Sequence, residues 1–434
     1  MESCDLKVSA RWILPIAPDN CALENHALVV KDGVIADIDT EANISQRWQA
    51  SEHLDLVDQI LLPGLINCHG HAAMTLLRGA GEDQALQAWL TDTIWPLEKQ
   101  HVSETFTLLG TELAAAEMIH SGTTTFADMY FFPTAVAQVA DNTGMRAQVC
   151  FPVIEMPNAW SENVDECFNK GLKLFDNYKH NNRVEIALGP HSAYTVNPEN
   201  LARTAMYANE LDACIQIHLH ENQQEVDEAM QASGGTWIER LADIGLLAPN
   251  LQAVHMTTVN DDDLVRIAES GTHVVHCPAS NMKLASGYCD IERLTRSDVN
   301  VAIGTDGAAS NNTLDLFAET RLAALAAKHA NLDPTAGNAR AMLKRATLGG
   351  AVALGMADQI GSLEVGKAAD FIAVDTQTPS LSPVYDPFAA VIHGDAGKNV
   401  STVYVGGQPL KTDGRLTTID ESELNLRVRQ WMQQ

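Results

Sequence analysis

Short runs rich in Val, Ile and Ala recur along the middle of this 434-residue chain, and helical stretches separate them. One such stretch, SETFTLLGTELAAAEMIHSG, ends at Gly122, a typical helix stop. Strands that alternate with helices favour a parallel sheet. Eight candidate strands are found: LPGLINC near 65, TTTFAD near 125, RAQVCF near 148, VEIALG near 186, CIQIHL near 216, LQAVH near 253, THVVHC near 274 and NVAIGT near 302.

The number of strands distinguishes two parallel architectures. Eight parallel strands with intervening helices over about 300 residues favour a closed (β/α)8 barrel of the TIM type, whose active site lies at the carboxyl ends of the strands. A doubly wound open sheet is the alternative. Against the open sheet, neither G-x-G-x-x-G nor G-x-x-x-x-G-K-[ST] occurs anywhere in the chain.

The two ends of the chain follow a different pattern. Near the beginning, two apolar runs flank Asp32-Gly33, which predicts a hairpin. Near the other end, ADFIAVD and STVYVGGQPL alternate apolar and polar residues, with Gly406-Gly407 as a turn. We therefore expect residues 1–60 and 366–434 to form one small β-sandwich domain, and residues 61–365 to form the barrel.

Composition and charge exclude several classes of protein. A hydrophobic fraction of 46% and a charged fraction of 19% are typical of globular proteins. The net charge of −28 repels nucleic acids and anionic membranes, although the same charge would also serve solubility alone. No secretory signal or long apolar segment is visible, and the eight cysteines form no C-x-x-C pair. We expect a cytoplasmic protein that binds neither nucleic acid nor membrane.

Metal-binding side chains fall at the ends of the predicted strands. The first strand ends with His69-Gly70-His71, and alternate residues of an extended chain share a face, so both histidines can bind one ion. The fifth strand ends with His218-Leu219-His220-Glu221, where either histidine is a candidate ligand. A single H-x-H motif is weak evidence for a metal.

Two further strand ends strengthen the case, because His255 follows the sixth strand and Asp306 the eighth. Polar groups at the rim of a barrel need water, a partner or a metal. Neutral imidazoles together with a carboxylate suit zinc, and a catalytic site keeps one position open for water. Four such strand ends predict a catalytic metal site.

The chain resembles the amidohydrolase superfamily and, within it, the 5-methylthioadenosine/S-adenosylhomocysteine deaminase group. The resemblance covers nearly the whole chain. Its motifs are LPGLINCHGHAAM, GPHSAYTV, IHLHE, VHMT, HCPASNMKL, IGTDGAASNN and GSLEVGKAADFIAVD.

The resemblance implies one divalent metal, expected to be Zn²⁺, held by His69, His71, His218 and Asp306. It favours His218 over His220 because the family places its catalytic glutamate three residues after the metal histidine. Binuclear relatives commonly bridge two ions with a carboxylated lysine on strand four. The sequence VEIALGPH has no lysine there, which favours a single ion.

The reaction that the resemblance implies is hydrolytic deamination of adenine, in which a metal-bound hydroxide attacks C6 and ammonia leaves. Glu221 would be the general acid and base that protonates N1 of the ring. Asp306 would take the proton of the water and pass it towards the departing amine. His255 would orient the hydroxide.

Further positions carry over from the family to the substrate. Glu98 resembles the carboxylate that accepts hydrogen bonds from both ribose hydroxyls, and Trp89 resembles an aromatic residue that lines the nucleoside pocket. His191 and Ser310 match positions near the substrate. Barrels of this group often pair, so a homo-oligomer is expected.

The preferred 5′ substituent is predicted from a missing residue type. Family members that process S-adenosylhomocysteine are expected to bind its carboxylate with arginine, but residues 155–170 include none. This favours 5-methylthioadenosine, or another adenosine with a small 5′ group such as adenosine or 5′-deoxyadenosine, over S-adenosylhomocysteine. Met156 and Trp160 would suit an apolar tail, and they would equally suit a role as loop filler.

Other functions compete with this one. Guanine deaminases and triazine-type chlorohydrolases share most of the metal residues, and a catalytically dead barrel that acts as a binding or assembly protein is the alternative of another class. The sequence from Ser280 to Lys283 fits the S-x-x-K pattern of penicillin-recognising serine enzymes. Neither S-D-N nor K-T-G accompanies it, which argues against a serine nucleophile.

Overall fold

The computed structural model describes residues 1–433, whose strands form two separate eight-stranded sheets. The strands are β1 (Glu2–Ile13), β2 (Leu23–Lys31), β3 (Val34–Thr40), β4 (Trp48–Pro63), β5 (Leu65–Asn67), β6 (Thr123–Met129), β7 (Arg146–Val153), β8 (Val184–Pro190), β9 (Ile215–Leu219), β10 (Leu251–His255), β11 (His273–His276), β12 (Val301–Ile303), β13 (Phe371–Asp375), β14 (Val400–Val405), β15 (Gln408–Thr412) and β16 (Arg415–Leu416).

Helices connect most of these strands. They are α1 (Glu41–Arg47), α2 (Leu86–Ala88), α3 (Trp95–His101), α4 (Glu104–His120), α5 (Pro133–Thr143), α6 (Val164–Tyr178), α7 (Pro198–Leu211), α8 (Gln223–Ser233), α9 (Trp237–Asp243), α10 (Asp261–Ser270), α11 (Pro278–Lys283), α12 (Ile291–Arg296), α13 (Ala308–Asn311), α14 (Leu316–Asn331), α15 (Ala339–Arg345), α16 (Leu348–Ala353), α17 (Pro387–His393) and α18 (Glu421–Trp431). Two 3-10 helices, Ala72–Leu77 and Gly397–Asn399, and a π-helix, Trp89–Ile94, complete the set.

The predicted (β/α)8 barrel is confirmed. Strands β5 to β12 pair in chain order, each parallel to the next, and every predicted strand coincides with one of them. The Cys68 amide donates to the Ile303 carbonyl over 3.0 Å, and the Asp306 amide donates to the His69 carbonyl over 3.0 Å. These bonds join the first and last strands and close the sheet.

Helix α16 closes the amino-terminal end of the barrel. Inward-facing residues of β5, β6, β10, β11 and β12 pack in one apolar cluster with Ala351, Ala353, Leu354 and Met356. The opposite end stays open, and the carboxyl ends of the strands with their loops form its rim.

The terminal segments form the second sheet, with the order β16-β15-β14-β13-β4-β1-β2-β3. Strand β4 lies parallel to β1 and antiparallel to β13, and this pairing joins the two halves of the chain. The predicted hairpin turns are present, with positive φ at Asp32-Gly33 and at Gly406-Gly407, as type I′ turns require.

Two contacts tie this sheet and the last helix to the barrel. Arg146 of β7 forms a buried ion pair with Asp370, with 2.6 Å between Nε and Oδ2. Helix α18 packs on α4, where Arg427 donates to Glu112 over 2.7 Å.

The domain limits themselves, 1–60 with 366–434 and 61–365, stay a prediction. Among the described residues, no helix is long and apolar enough to span a membrane.

Candidate active site

Three imidazole nitrogens and one carboxylate converge at the open end of the barrel. His69 and His71 follow β5, and their Nε2 atoms lie 3.5 and 3.3 Å from Oδ1 of Asp306, which follows β12. His218 of β9 places its Nε2 3.2 Å from Nε2 of His69. The structure therefore brings together the four predicted ligands, and each reaches the centre from the end of a strand.

The outer nitrogen of each histidine has its own hydrogen-bond partner. Nδ1 of His71 lies 2.6 Å from the Met129 carbonyl, and Nδ1 of His218 lies 2.6 Å from the His191 carbonyl. Nδ1 of His69 lies 2.7 Å from Oε1 of Gln216. A carbonyl oxygen only accepts, so each Nδ1 carries a proton and each ring turns its Nε2 towards the centre.

This donor set fits a divalent metal ion. Inward-facing lone pairs on neighbouring nitrogens repel one another unless a cation or protons lie between them. Neutral imidazole nitrogens with one carboxylate are the ligands of catalytic zinc, and the hydrogen bonds at Nδ1 orient the rings as outer partners do in zinc sites.

The carboxylate at the centre is held in its charged form. Burial acts to raise the pKa of Asp306, but hydrogen bonds with His69 and His71 keep that pKa well below its usual range. Burial acts to lower the pKa of His71, whereas Asp306 raises it to about 9. An ion that binds Nε2 of His71 must therefore displace a proton.

His255 and Glu221 lie beside the metal ligands. Nδ1 of His255 lies 2.9 Å from Oδ1 of Asn281, and its Nε2 lies 3.8 Å from Oε2 of Glu221. Burial, with a further contribution from the charge of Asp306, raises the pKa of Glu221 to about 8. A protonated carboxyl group next to the centre can donate a proton.

The backbone at this rim is strained at two of these residues. His255 has a φ of 77° and Asp306 a φ of 60°, in the left-handed region that L residues rarely adopt. Such conformations cost roughly 1–3 kcal/mol each and cluster at functional sites. At Gly304 a Cβ atom would lie 2.9 Å from Cβ of His69, so glycine is required for the first and last strands to approach.

A cavity of about 650 Å³ opens from the metal ligands and contains most of the predicted substrate residues. Trp89, at the start of the π-helix, lines it and donates from Nε1 to the Ala80 carbonyl over 3.2 Å. Glu98 of α3 also lines it and accepts a 2.8 Å hydrogen bond from the Tyr130 hydroxyl. Burial raises the pKa of Glu98.

The remaining predicted residues differ in position. His191 lines the cavity, with its Nδ1 3.1 Å from Oγ1 of Thr195. Ser310 is buried in α13, where its hydroxyl donates to the Gly307 carbonyl over 3.2 Å, and it does not line the cavity. Its contact with substrate stays a prediction. The rival ligand His220 turns away and places Nδ1 2.9 Å from the Thr258 carbonyl.

Of the two residues expected to suit an apolar tail, one is at the cavity. Met156 lines it and is 49% exposed. Trp160 does not line it, because this side chain is buried in the hydrophobic core. The structure therefore favours the alternative that Trp160 fills the loop, since the loop after β7 turns the indole into the protein.

Sequence reasoning missed the residues that hold the functional groups. The Ser280 hydroxyl donates to Oδ2 of Asp306 over 2.7 Å, and the next residue, Asn281, holds His255. Tyr130 holds Glu98, and Gln216 holds His69. A usable signal existed: Gln216 lies two residues before His218, so on one strand both side chains share a face.

The chain is similar to several known proteins. A model of the Amidohydrolase family matches residues 60–410. A 5-methylthioadenosine/S-adenosylhomocysteine deaminase from Teredinibacter turnerae is 45% identical over 427 residues, which cover 98% of this chain and 97% of the relative. A 5′-deoxyadenosine deaminase from Methanosphaera stadtmanae is 37% identical over 92% of this chain and 93% of its own.

Among solved structures, an adenosine deaminase from Xanthomonas campestris with bound zinc superposes with a TM-score of 0.98. It is 41% identical, and the match covers 100% of this chain and 98% of that one. The similarity therefore includes both the barrel and the terminal sheet.

Proposed function

From the premise that this chain belongs to the amidohydrolase family, we propose that it is a metal-dependent deaminase of 5′-substituted adenosines. The products would be the inosine analogue and ammonia. His69, His71, His218 and Asp306 would hold one zinc ion. When bound in such a site, zinc lowers the pKa of a coordinated water to about 7 and so supplies a nucleophile at neutral pH.

The observation that carries this proposal is that Glu221 and Glu98 line one cavity together with three of the four ligands. The fourth, His69, lies directly beside two of those ligands. Glu221 donates a proton to N1 of the adenine ring, which makes C6 open to attack. Asp306 accepts one proton of the attacking water and passes it to the leaving amine, and the second proton of the water restores the carboxyl group of Glu221. A C–O bond forms at C6, the C–N bond breaks, and His255 orients the water.

The other end of the cavity supports a nucleoside as the substrate. Glu98 lies in the cavity wall, where its carboxylate can accept hydrogen bonds from both ribose hydroxyls. The Tyr130 hydroxyl donates to one of the two carboxylate oxygens and so orients the group. Guanine and triazines have no ribose. A carboxylate at this position therefore favours an adenosine over these substrates.

The cavity wall favours a small, uncharged 5′ group. Among the described residues, no arginine lines the cavity, and Lys99 is its one basic side chain apart from histidines. Much of the remaining wall is apolar: Leu86, Ile94, Val102, Phe131, Ile154 and Leu284. A methylthio group needs only apolar surface, whereas a buried carboxylate needs a charged partner. We therefore propose 5-methylthioadenosine as the preferred substrate.

A substrate panel tests this function. Zinc-loaded protein is incubated with 5-methylthioadenosine, 5′-deoxyadenosine, adenosine and S-adenosylhomocysteine, and the change from adenine to hypoxanthine absorbance is followed together with released ammonia. We expect turnover of the first three at higher kcat/KM than of S-adenosylhomocysteine, and loss of turnover after removal of the metal. Absence of any turnover by metal-loaded protein would overturn the proposal.

The ribose contact is tested with Glu98→Gln. Loss of half of the carboxylate's accepting capacity should raise KM for nucleosides about tenfold, because charged hydrogen bonds contribute roughly 1.5–3 kcal/mol each. Glu104→Gln, an exposed glutamate of the same region, is the matched control. Equal KM values for Glu98→Gln and wild type would indicate that the ribose lies elsewhere.

We also propose that the protein is cytoplasmic and homo-oligomeric. All eight cysteines are free thiols in the structure, which supports a reducing compartment. Light scattering coupled to size-exclusion chromatography tests the second statement, and a monomeric mass across the working concentration range would contradict it.

A further inference from the structure

Three buried glutamines cross the interior of the barrel beneath the metal ligands. Gln148 of β7, Gln252 of β10 and Gln216 of β9 are each at most 1% exposed. Barrel interiors are usually filled by branched aliphatic residues, and a buried amide costs free energy unless it is hydrogen-bonded. Three amides at such positions therefore suggest a function beyond packing.

The three side chains form one continuous chain of hydrogen bonds. Nε2 of Gln216 donates to Oε1 of Gln252 over 2.7 Å, and Nε2 of Gln252 donates to Oε1 of Gln148 over 2.6 Å. At the far end, Gln148 donates to the Leu354 carbonyl and Gln252 donates to the Ala353 carbonyl, each over 3.0 Å. We name Gln148, Gln252 and Gln216 the glutamine relay.

The carbonyls at the end of α16 give the relay its direction. The last carbonyls of a helix have no partner within the helix, and they can only accept. They therefore accept from the NH2 groups of Gln148 and Gln252. As a result, the side-chain oxygen of each glutamine faces the next group along the relay in the direction of His69. The last oxygen, Oε1 of Gln216, must then accept a hydrogen bond from the Nδ1–H group of His69 over 2.7 Å.

We propose that the glutamine relay is a positioning device that fixes the Nδ1-protonated tautomer of His69 and so prepares its Nε2 for zinc. The remaining donor bond of Gln216, to the Cys68 carbonyl over 2.9 Å, anchors the same amide to the chain directly before His69. Without the relay, the imidazole would be free to protonate Nε2, and zinc would have to displace that proton.

This inference rests on the metal site of the proposed function but not on the choice of substrate. It is tested with Gln216→Met, Gln252→Met and Gln148→Met, which keep side-chain length and remove the amide. Thr125→Val is the matched control, because Oγ1 of this buried barrel threonine has no hydrogen-bond partner among the described residues.

Two measurements are made on each variant. Zinc affinity is measured by competition with a chelator, and we expect a 10- to 100-fold loss for Gln216→Met and Gln252→Met and no loss for Thr125→Val. Ring-nitrogen NMR shifts of His69 in metal-free protein should show one tautomer in the wild type and a mixture in both variants. A general loss of stability would not produce that mixture.

Several results would overturn the inference. If Gln252→Met leaves zinc affinity and the tautomer unchanged, the relay beyond Gln216 has no such role. If Gln252→Met does not fold, Gln216→Met decides the question, because it removes the amide that contacts His69, and an unchanged tautomer in that variant would overturn the inference. A wild-type protein that binds no zinc would instead contradict the proposed function. The tautomer measurement, which is made on metal-free protein, would still test whether the relay fixes the tautomer of His69.

Discussion

Ser280 shows at the scale of one residue how a catalytic group is held. Its buried hydroxyl donates to the Asp306 oxygen that does not face His69 and His71. This bond decides which oxygen of the carboxylate turns to the centre. Ser280, which begins the S-x-x-K pattern, therefore orients Asp306 and does not act as a nucleophile.

Ser280→Ala should lower kcat about 10- to 100-fold and leave KM within twofold, because Asp306 loses its orientation while the substrate contacts remain. Steady-state kinetics with metal analysis of each preparation measure the effect. Ser121→Ala is the control, since this buried hydroxyl bonds only to carbonyls at the end of α4. A kcat unchanged within twofold would show that Asp306 needs no such support.

The paired residues Glu98 and Tyr130 predict a pH dependence of substrate binding. Burial raises the pKa of Glu98, and the hydrogen bond from Tyr130 opposes that rise. Only the ionised carboxylate accepts from both ribose hydroxyls, so KM should increase as the pH falls through this raised pKa. Tyr130→Phe removes the opposing bond and should move the transition to higher pH.

The measurement is KM for 5-methylthioadenosine as a function of pH in wild type, Tyr130→Phe and Glu98→Gln. The amide of Glu98→Gln does not titrate, so its KM should lose this dependence. A transition that persists unchanged in Glu98→Gln would assign it to another group.

At the scale of elements, the ion pair of Arg146 and Asp370 joins strand β7 of the barrel to the chain just before β13. The side chains are 10% and 3% exposed, and Asp370 also accepts from the Gly406 amide over 2.7 Å. Removal of one partner from a buried pair leaves an uncompensated charge. The two sheets therefore depend on each other at this point.

Asp370→Asn should lower the free energy of unfolding by about 3–5 kcal/mol, measured by urea denaturation. The control is Glu239→Gln, which breaks an ion pair with Arg266 whose side chains are 46% and 37% exposed. That change should cost less than about 1 kcal/mol. Similar losses in both variants would mean that the buried pair contributes no more than a surface pair.

The elements also show what could be predicted from the sequence. The eight barrel strands were predictable because each is a short apolar run, and the candidate ligands because they directly follow such runs. The relay was not predictable, because Gln148 and Gln252 meet across the barrel at positions that depend on the closure of the whole sheet. The direction of Trp160 could not be predicted, because a loop has no periodic pattern that shows which way a side chain points.

At the scale of the whole molecule, 56 acidic residues against 28 basic ones generate a strong repulsive field. Such repulsion acts against the compact state and is screened by salt, with a Debye length of about 8 Å at physiological ionic strength. The folded protein should therefore be more stable in moderate salt than at very low salt.

An increase from about 10 mM to about 150 mM NaCl should raise Tm by about 2 °C, measured by scanning calorimetry at one fixed scan rate. A variant with four exposed carboxylates neutralised, Asp55→Asn, Asp243→Asn, Glu269→Gln and Asp358→Asn, should show a smaller rise. An equal rise in both proteins would assign the salt effect to something other than net charge.

The pairing of β4 with β13 has a consequence for the nascent chain during synthesis. About 300 residues separate Pro63 from its partner Phe371, so a ribosome adding about 5–20 residues per second needs roughly 15–60 s to deliver the missing neighbour. During that interval β1 can already pair with one edge of β4, but the other edge, at Ile60, Leu61 and Leu62, still lacks its partner β13. Unpaired apolar strand edges of this kind aggregate readily and are bound by chaperones. The terminal sheet therefore makes this enzyme most prone to aggregation during its synthesis.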